Sequence, residues 1–118
     1  MASEESRLRI SHANDVTEVS FVDRNILDEA NIQSIRDQIS SIVASQERPK
    51  LLINFQNVDH LSSAALGALI RIRSEILEKE GELRLAEIDS QIYDVFVITQ
   101  LHTLFQIHQS ADEARASF

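Results

Sequence analysis

Ser62 and Ser63 follow Asp59 and His60 closely and stand just ahead of an amphipathic run. A serine near a histidine and a carboxylate could attack an acyl group, but that chemistry needs an oxyanion hole and an orienting acid. The GxSxG elbow that presents such a nucleophile is absent. His12, His60, His102 and His108 are scattered, with neither an HExxH motif nor an i, i+4 pair. They are read as ordinary polar side chains rather than metal ligands. Cysteine is missing altogether, which excludes thiolate catalysis, disulfide frameworks and Cys-ligated zinc. Gly67 and Gly81 are the only glycines, so no glycine-rich phosphate loop exists either. No catalytic residue, metal ligand or cofactor is assigned.

Elementary physics says what such a serine pair does at a helix start and what a modification there would change. Serine favours the start of a helix, where its side chain accepts from a free backbone N–H and contributes ~0.5–2 kcal/mol. A hydroxyl there is short and exposed at a loop rim. Phosphorylation would add roughly 1.5–2 negative charges. The helix dipole and free N–H groups can hold that charge without refolding the domain. A partner docked at the rim would meet repulsion, and about 1.4 kcal/mol suffices to weaken binding tenfold. Simple capping, with no modification, is the plainer reading of the same residues.

The surrounding elements must place this rim. Arg7–Ser11 and Val16–Val22 read as a strand pair joined by Ala13-Asn14-Asp15. Ile32, Ile35, Ile39, Ile42 and Val43 form one helical stripe, with Asp28 or Asn31 as its cap and Pro49 beyond its end. Leu51–Phe55 reads as a strand buried on both faces. A second helix opens at Ser62 and Ser63, carries Leu66, Leu69, Ile70, Ile76 and Leu77, and ends where Gly81 supplies a left-handed cap. Leu83 and Leu85 mark a further strand, Glu82–Ala86. A third helix from Asp89 or Ser90 to Thr99 carries Ile92, Val95, Phe96 and Thr99. Leu104–His108 is a last strand and Asp112–Phe118 a last helical turn or two. Tyr93, Phe96 and Phe105 are read as core, and Glu78-Lys79-Glu80 as a solvated helix end. The order ββαβαβαβα predicts an α/β domain with a mixed β-sheet and crossover helices.

Length and charge set the outer bounds. The 118 residues are expected to form a single domain, 1–118. Eleven basic against nineteen acidic residues give a net charge of −8. That balance disfavours nucleic acid and anionic lipid and fits a partner with a basic surface. No run approaches the ~20 apolar residues of a membrane span, and MASEESR lacks the apolar region of a secretory signal. A cytoplasmic protein is expected, without direct membrane insertion. No residue pattern specifies an oligomeric state.

The segment Asn54–Ile70 resembles a known family. Ser62-Ser63-Ala64-Ala65-Leu66-Gly67, the buried run Leu51–Phe55, Ile26-Leu27-Asp28 and the order of elements look like a STAS domain. This is the fold of bacterial anti-sigma factor antagonists and of the cytoplasmic tails of sulfate transporters. The resemblance covers nearly the whole chain. It implies a binding module rather than an enzyme, regulating transcription through partner switching. The partner would be an anti-sigma factor that is also a serine kinase, with a separate phosphatase resetting the switch. Ser63 matches the phosphorylated serine and Asp28 the aspartate before the first helix. The implied partner surface comprises Asp28, Asp59, Ser62, Ser63, Ala65 and Gly67. Two positions depart from the family pattern: Ser62 replaces an aspartate and Ala65 a glycine. The missing carboxylate leaves three readings open: slower transfer to Ser63, an acceptor shifted to Ser62, or a copy that is not phosphorylated. The last would make the chain a non-switching scaffold, or a subunit of a larger regulatory or lipid-transport complex. Asp59 is a candidate substitute carboxylate, and the Ala65 methyl is expected at the docking rim.

Overall fold

The computed structural model describes residues 8–22, 24–26 and 29–118, with Ile26 described for its backbone only. Strand β1 (Leu8–Ala13) turns back through Asn14 and Asp15 into β2 (Val16–Phe21). Both turn residues have positive φ, 54° and 68°. A two-residue hairpin that follows the strand twist demands this, and Asn and Asp tolerate it best after glycine. β1 ends two residues later than the sequence suggests, and Arg7, its expected start, lies outside the described residues. Its alternation does not bury both apolar residues: Leu8 is buried, but Ile10 is exposed at the sheet edge.

Beyond the hairpin the chain progresses steadily across the sheet. A two-residue strand β3 (Asn25–Ile26) leads to α1 (Glu29–Ala44), β4 (Lys50–Asn54), a second short strand β5 (His60–Leu61), α2 (Ser63–Glu78), β6 (Glu82–Ala86) and α3 (Ser90–Ile98). A 3₁₀ turn at Leu101–Thr103 then precedes β7 (Gln106–His108) and α4 (Ala111–Ala116). The main sheet is ordered β1-β2-β4-β6-β7, antiparallel only between β1 and β2. Successive parallel strands step in one direction, so right-handed crossovers bring α1, α2 and α3 to one face. This is the mixed α/β sheet expected. The unforeseen elements are β3 and β5, which pair as a separate parallel ribbon.

Register sorts the residues. The rows Thr17–Leu51–Leu83 and Val19–Ile53–Leu85–Ile107 face the three helices. There they join Ile32, Ile35, Ile39, Val43, Leu69, Ile72 and Ile76 in one core. The rows Glu18–Leu52–Arg84–Gln106 and Ser20–Asn54–Ala86–His108 face the other way. Over them α4 buries Ala111 and Ala114 against Val16, Leu52 and Ala86.

Several local expectations are corrected. Asp28 lies outside the described residues, and Asn31 sits inside α1 rather than capping it. The left-handed residue closing α2 is Glu80 (φ 58°), not Gly81. The N–H groups of Glu80 and Gly81 donate to Leu77 O (3.0 Å) and Ile76 O (2.9 Å), which is the Schellman arrangement. Gly81 is needed for another reason: a Cβ there would lie 2.3 Å from the carbonyl oxygen of Pro49. Lys79 is not merely solvated. Its ammonium donates to the carbonyls of Val43 (3.0 Å) and Ala44 (2.9 Å), closing the C-terminus of α1. On α3 only Ile92 and Phe96 are buried, while Tyr93 and Val95 are exposed, so Tyr93 is not core. Phe105 is buried as expected, edge-on to Phe96, but the last strand is only Gln106–His108.

Candidate functional site

The serine pair lies where β4 hands over to α2. Phe55 and Val58, each 1% exposed, sink this connection into the core. Three hydrogen bonds fix its course: Phe55 N to Ala86 O (2.9 Å), Gln56 N to the Asn54 side-chain oxygen (2.9 Å) and Val58 N to Phe55 O (2.9 Å). The ribbon β3–β5 then ties it to the segment entering α1. Asp59 N donates to Arg24 O (2.7 Å), and His60 Nδ1 shares a hydrogen bond with Asn25 Oδ1 (2.9 Å). Because β2 and β4 run parallel, α1 and α2 both begin beyond the same sheet edge. That is where open α/β sheets present their sites.

The two serines do different jobs. Ser62 is the N-cap of α2, extended at φ −87° and ψ 168°. Its Oγ accepts from Ala65 N (3.2 Å), and its carbonyl accepts from Leu66 N (3.1 Å). The position that holds an aspartate in the family pattern is therefore filled by another capping residue. Ser63 is the first helical residue. It is exposed, and its hydroxyl engages no hydrogen-bond partner among the described residues. The backbone N–H groups of the first turn point the same way, as they do at any helix start.

The other expected site residues separate. Asp59 is partly exposed at this rim, its carboxylate 3.9 Å from Arg24 Nε, a weak pair between solvated groups. Gly67 is exposed on α2, with nothing within 4 Å of where a Cβ would be. Ala65 is 5% exposed and packs among the core residues, so its methyl lies inside the domain and not on a docking rim. Sequence reasoning missed two hollows that flank the serines. One, about 200 Å³, lies between β5, the first turn of α2, and α3, with Leu61, Leu66, Ile92 and Val95 in its lining. The other, about 700 Å³, runs between α1 and α2 past Ala64, Gly67 and Ala68. The signal for the second was present in the sequence as the i, i+3, i+4 spacing of those three small residues. Among the described residues no cluster of His, Asp or Glu is placed to hold a metal. No helix among them is long and apolar enough to cross a membrane.

The sequence profile of the STAS domain family matches residues 19–114, and the chain belongs to that family. BtrV of Bordetella bronchiseptica, named as a candidate anti-sigma factor antagonist, is 24% identical over 95 residues, covering 80% of this chain and 81% of that protein. The fold is shared with an anti-sigma-factor antagonist STAS domain protein from Planctomyces limnophilus. That similarity has a TM-score of 0.86 at 21% identity over 93% of this chain and 96% of the other. The phosphorylated form of the Bacillus cell fate determinant SpoIIAA is similar at a TM-score of 0.72 and 14% identity. There the match covers 93% of this chain and 97% of that one.

Proposed function

We propose that this chain is an anti-sigma factor antagonist that acts by binding, and that phosphorylation of Ser63 releases its partner. The partner is an anti-sigma factor with serine kinase activity, and a phosphatase restores the binding form. The naming of BtrV and of the Planctomyces protein supports the general role. The observation that carries the switch is the division of labour at the start of α2: Ser62 is engaged as the cap, while Ser63 is exposed and unengaged. An acceptor must bring its oxygen up to the γ-phosphate of a partner's nucleotide, which favours Ser63 over Ser62. A phosphate at the first helical position would sit in the favourable field of the dipole. It would change the charge of the rim while leaving the core, and hence the fold, intact. Cytoplasmic location follows from this role.

Incubation with the kinase-type anti-sigma factor and ATP, followed by mass spectrometry, is expected to place phosphate on Ser63. Ser63→Asp is expected to weaken binding of that partner by roughly tenfold or more. Absence of phosphate on either serine, together with no binding of the unmodified chain, overturns the proposal. A second reading is favoured by the missing motif carboxylate: a STAS scaffold in a larger regulatory or lipid-transport assembly that never switches. It predicts unchanged partner binding in Ser63→Asp.

A further inference from the structure

We infer that the groove between α1 and α2 seats an acidic helix of the partner protein. The inference rests on the binding-module reading above and adds the chemistry of what is bound. Positions 64, 67, 68 and 71 fall at i, i+3, i+4 and i+7, so Ala64, Gly67, Ala68 and Arg71 make one stripe along α2. Arg36 and Glu29 of α1 line the same hollow. Glycine is a far poorer helix former than alanine. Within the chain nothing accounts for Gly67: it has no positive φ, and no atom lies within 4 Å of the place its Cβ would take. The bare backbone instead leaves room for a second helix to approach closely, since the side chains at the contact set the interaxial distance.

Charge selects the occupant. Arg24, Arg48, Arg84 and Arg115 each have a carboxylate within ion-pair range. Arg36 and Arg71 have none among the described residues, as is true of Arg9 and Arg73 outside the groove, and the Arg36 Nε is buried without a hydrogen-bond partner. Two unpaired guanidiniums against the single carboxylate of Glu29 leave the groove net positive on a chain of net charge −8, a local site for carboxylates, which the guanidinium fork can hold in pairs. The groove begins next to the switch, because Ser63 and Gly67 are i, i+4 neighbours. A phosphate on Ser63 would then bring its negative charge against an acidic helix. The release step thereby acquires a physical cause.

The full chain, labelled with ¹⁵N, is titrated with an alanine–glutamate peptide of about 20 residues, long enough to be helical alone. The control peptide has lysine in place of each glutamate. Saturable amide shifts are expected at Ala64, Gly67, Ala68 and Arg71 with the glutamate peptide only. Arg71→Glu is expected to weaken binding by roughly tenfold. Gly67→Leu, which fills open space and raises helix propensity, is expected to abolish it, with an unfolding midpoint no lower than the parent's showing that the fold survives. Absence of shifts, equal shifts with the lysine peptide, or shifts that persist in Gly67→Leu overturn the groove. The titration contains neither kinase nor nucleotide, so its failure condemns the groove alone, whereas the phosphorylation assay condemns the switch alone.

Discussion

On the sheet face that carries α1, α2 and α3, the row Val19–Ile53–Leu85 meets Ile39, Val43, Ile72 and Ile76, and each of these side chains is 2% exposed or less. On the opposite face Glu18, Asn54 and Arg84 are interspersed with Leu52 and Ala86, beneath a helix of six residues. Arg84, 7% exposed, donates to Ser117 Oγ (2.9 Å) and O (3.2 Å) and to Glu82 Oε1 (2.8 Å), and lies over the Phe118 ring. Arg115 pairs with Glu18 and Asp112. Burial opposes the charge on Arg115, and those two carboxylates outweigh it, so the guanidinium is held above its ordinary pKa. The first face is held by non-directional burial, the second by directional pairs. Asn54 connects them: its amide nitrogen donates to Glu18 (3.0 Å), and its oxygen receives Gln56 N in the loop that leads to the serines. The loop that leads to the serines is therefore rooted in the polar face, although the serines open a helix of the apolar one.

The sharpest test of this contrast is Ile39→Ala. It leaves a cavity in the apolar face and is expected to cost about 2–5 kcal/mol in chemical denaturation. A loss below 1 kcal/mol would mean that the helices do not carry the stability. Next in size is Arg84→Ala, which removes a buried side chain, its hydrogen bonds to Ser117 and Glu82 and its contact with the Phe118 ring, and is expected to cost about 1–3 kcal/mol. Faster hydrogen exchange should be confined to α4 and its strands. Exchange that rises equally in α1 and α2 would contradict separate regimes.

Ser62→Ala removes the α2 cap and should cost about 1 kcal/mol, whereas Ser63→Ala should fall within about 0.5 kcal/mol of the parent. Equal losses would erase the distinction between the capping serine and its exposed neighbour. The smallest effect is expected for Arg115→Ala, below about 1 kcal/mol, because Arg115 and Asp112 are solvated and the less exposed Glu18 keeps its hydrogen bond from Asn54. Added salt should mimic it, loosening α4 while sparing the apolar face. Salt-independent exchange of α4 would break the comparison at its weaker side.

Most of the apolar face was legible in the sequence, because its residues obey a period. Ile32, Ile35, Ile39 and Val43 repeat at helical spacing, and Leu83 and Leu85 alternate as a strand must. The polar face was not legible. Arg84 sits between two leucines and reads as the outward residue of a half-exposed strand, yet α4 covers it. Gly81 was read as a left-handed cap because glycine is the usual residue there. The strain falls instead on Glu80, since Gly81 must yield space to Pro49, far away in sequence. Ala65 was placed on the rim by its place in the motif, but the rotation of α2 about its axis turns it inward.

The sequence alone determined the order of elements, the start of α2 at a serine pair, and membership in a recognisable fold. These depend on local periodicity and capping, which each segment carries within itself. Which serine is engaged, which small residues of α2 face outward, and which arginines lack a partner were decided only by the tertiary structure. Each depends on the packing of α2 against α1 and the sheet, and that packing is fixed by contacts between residues distant along the chain.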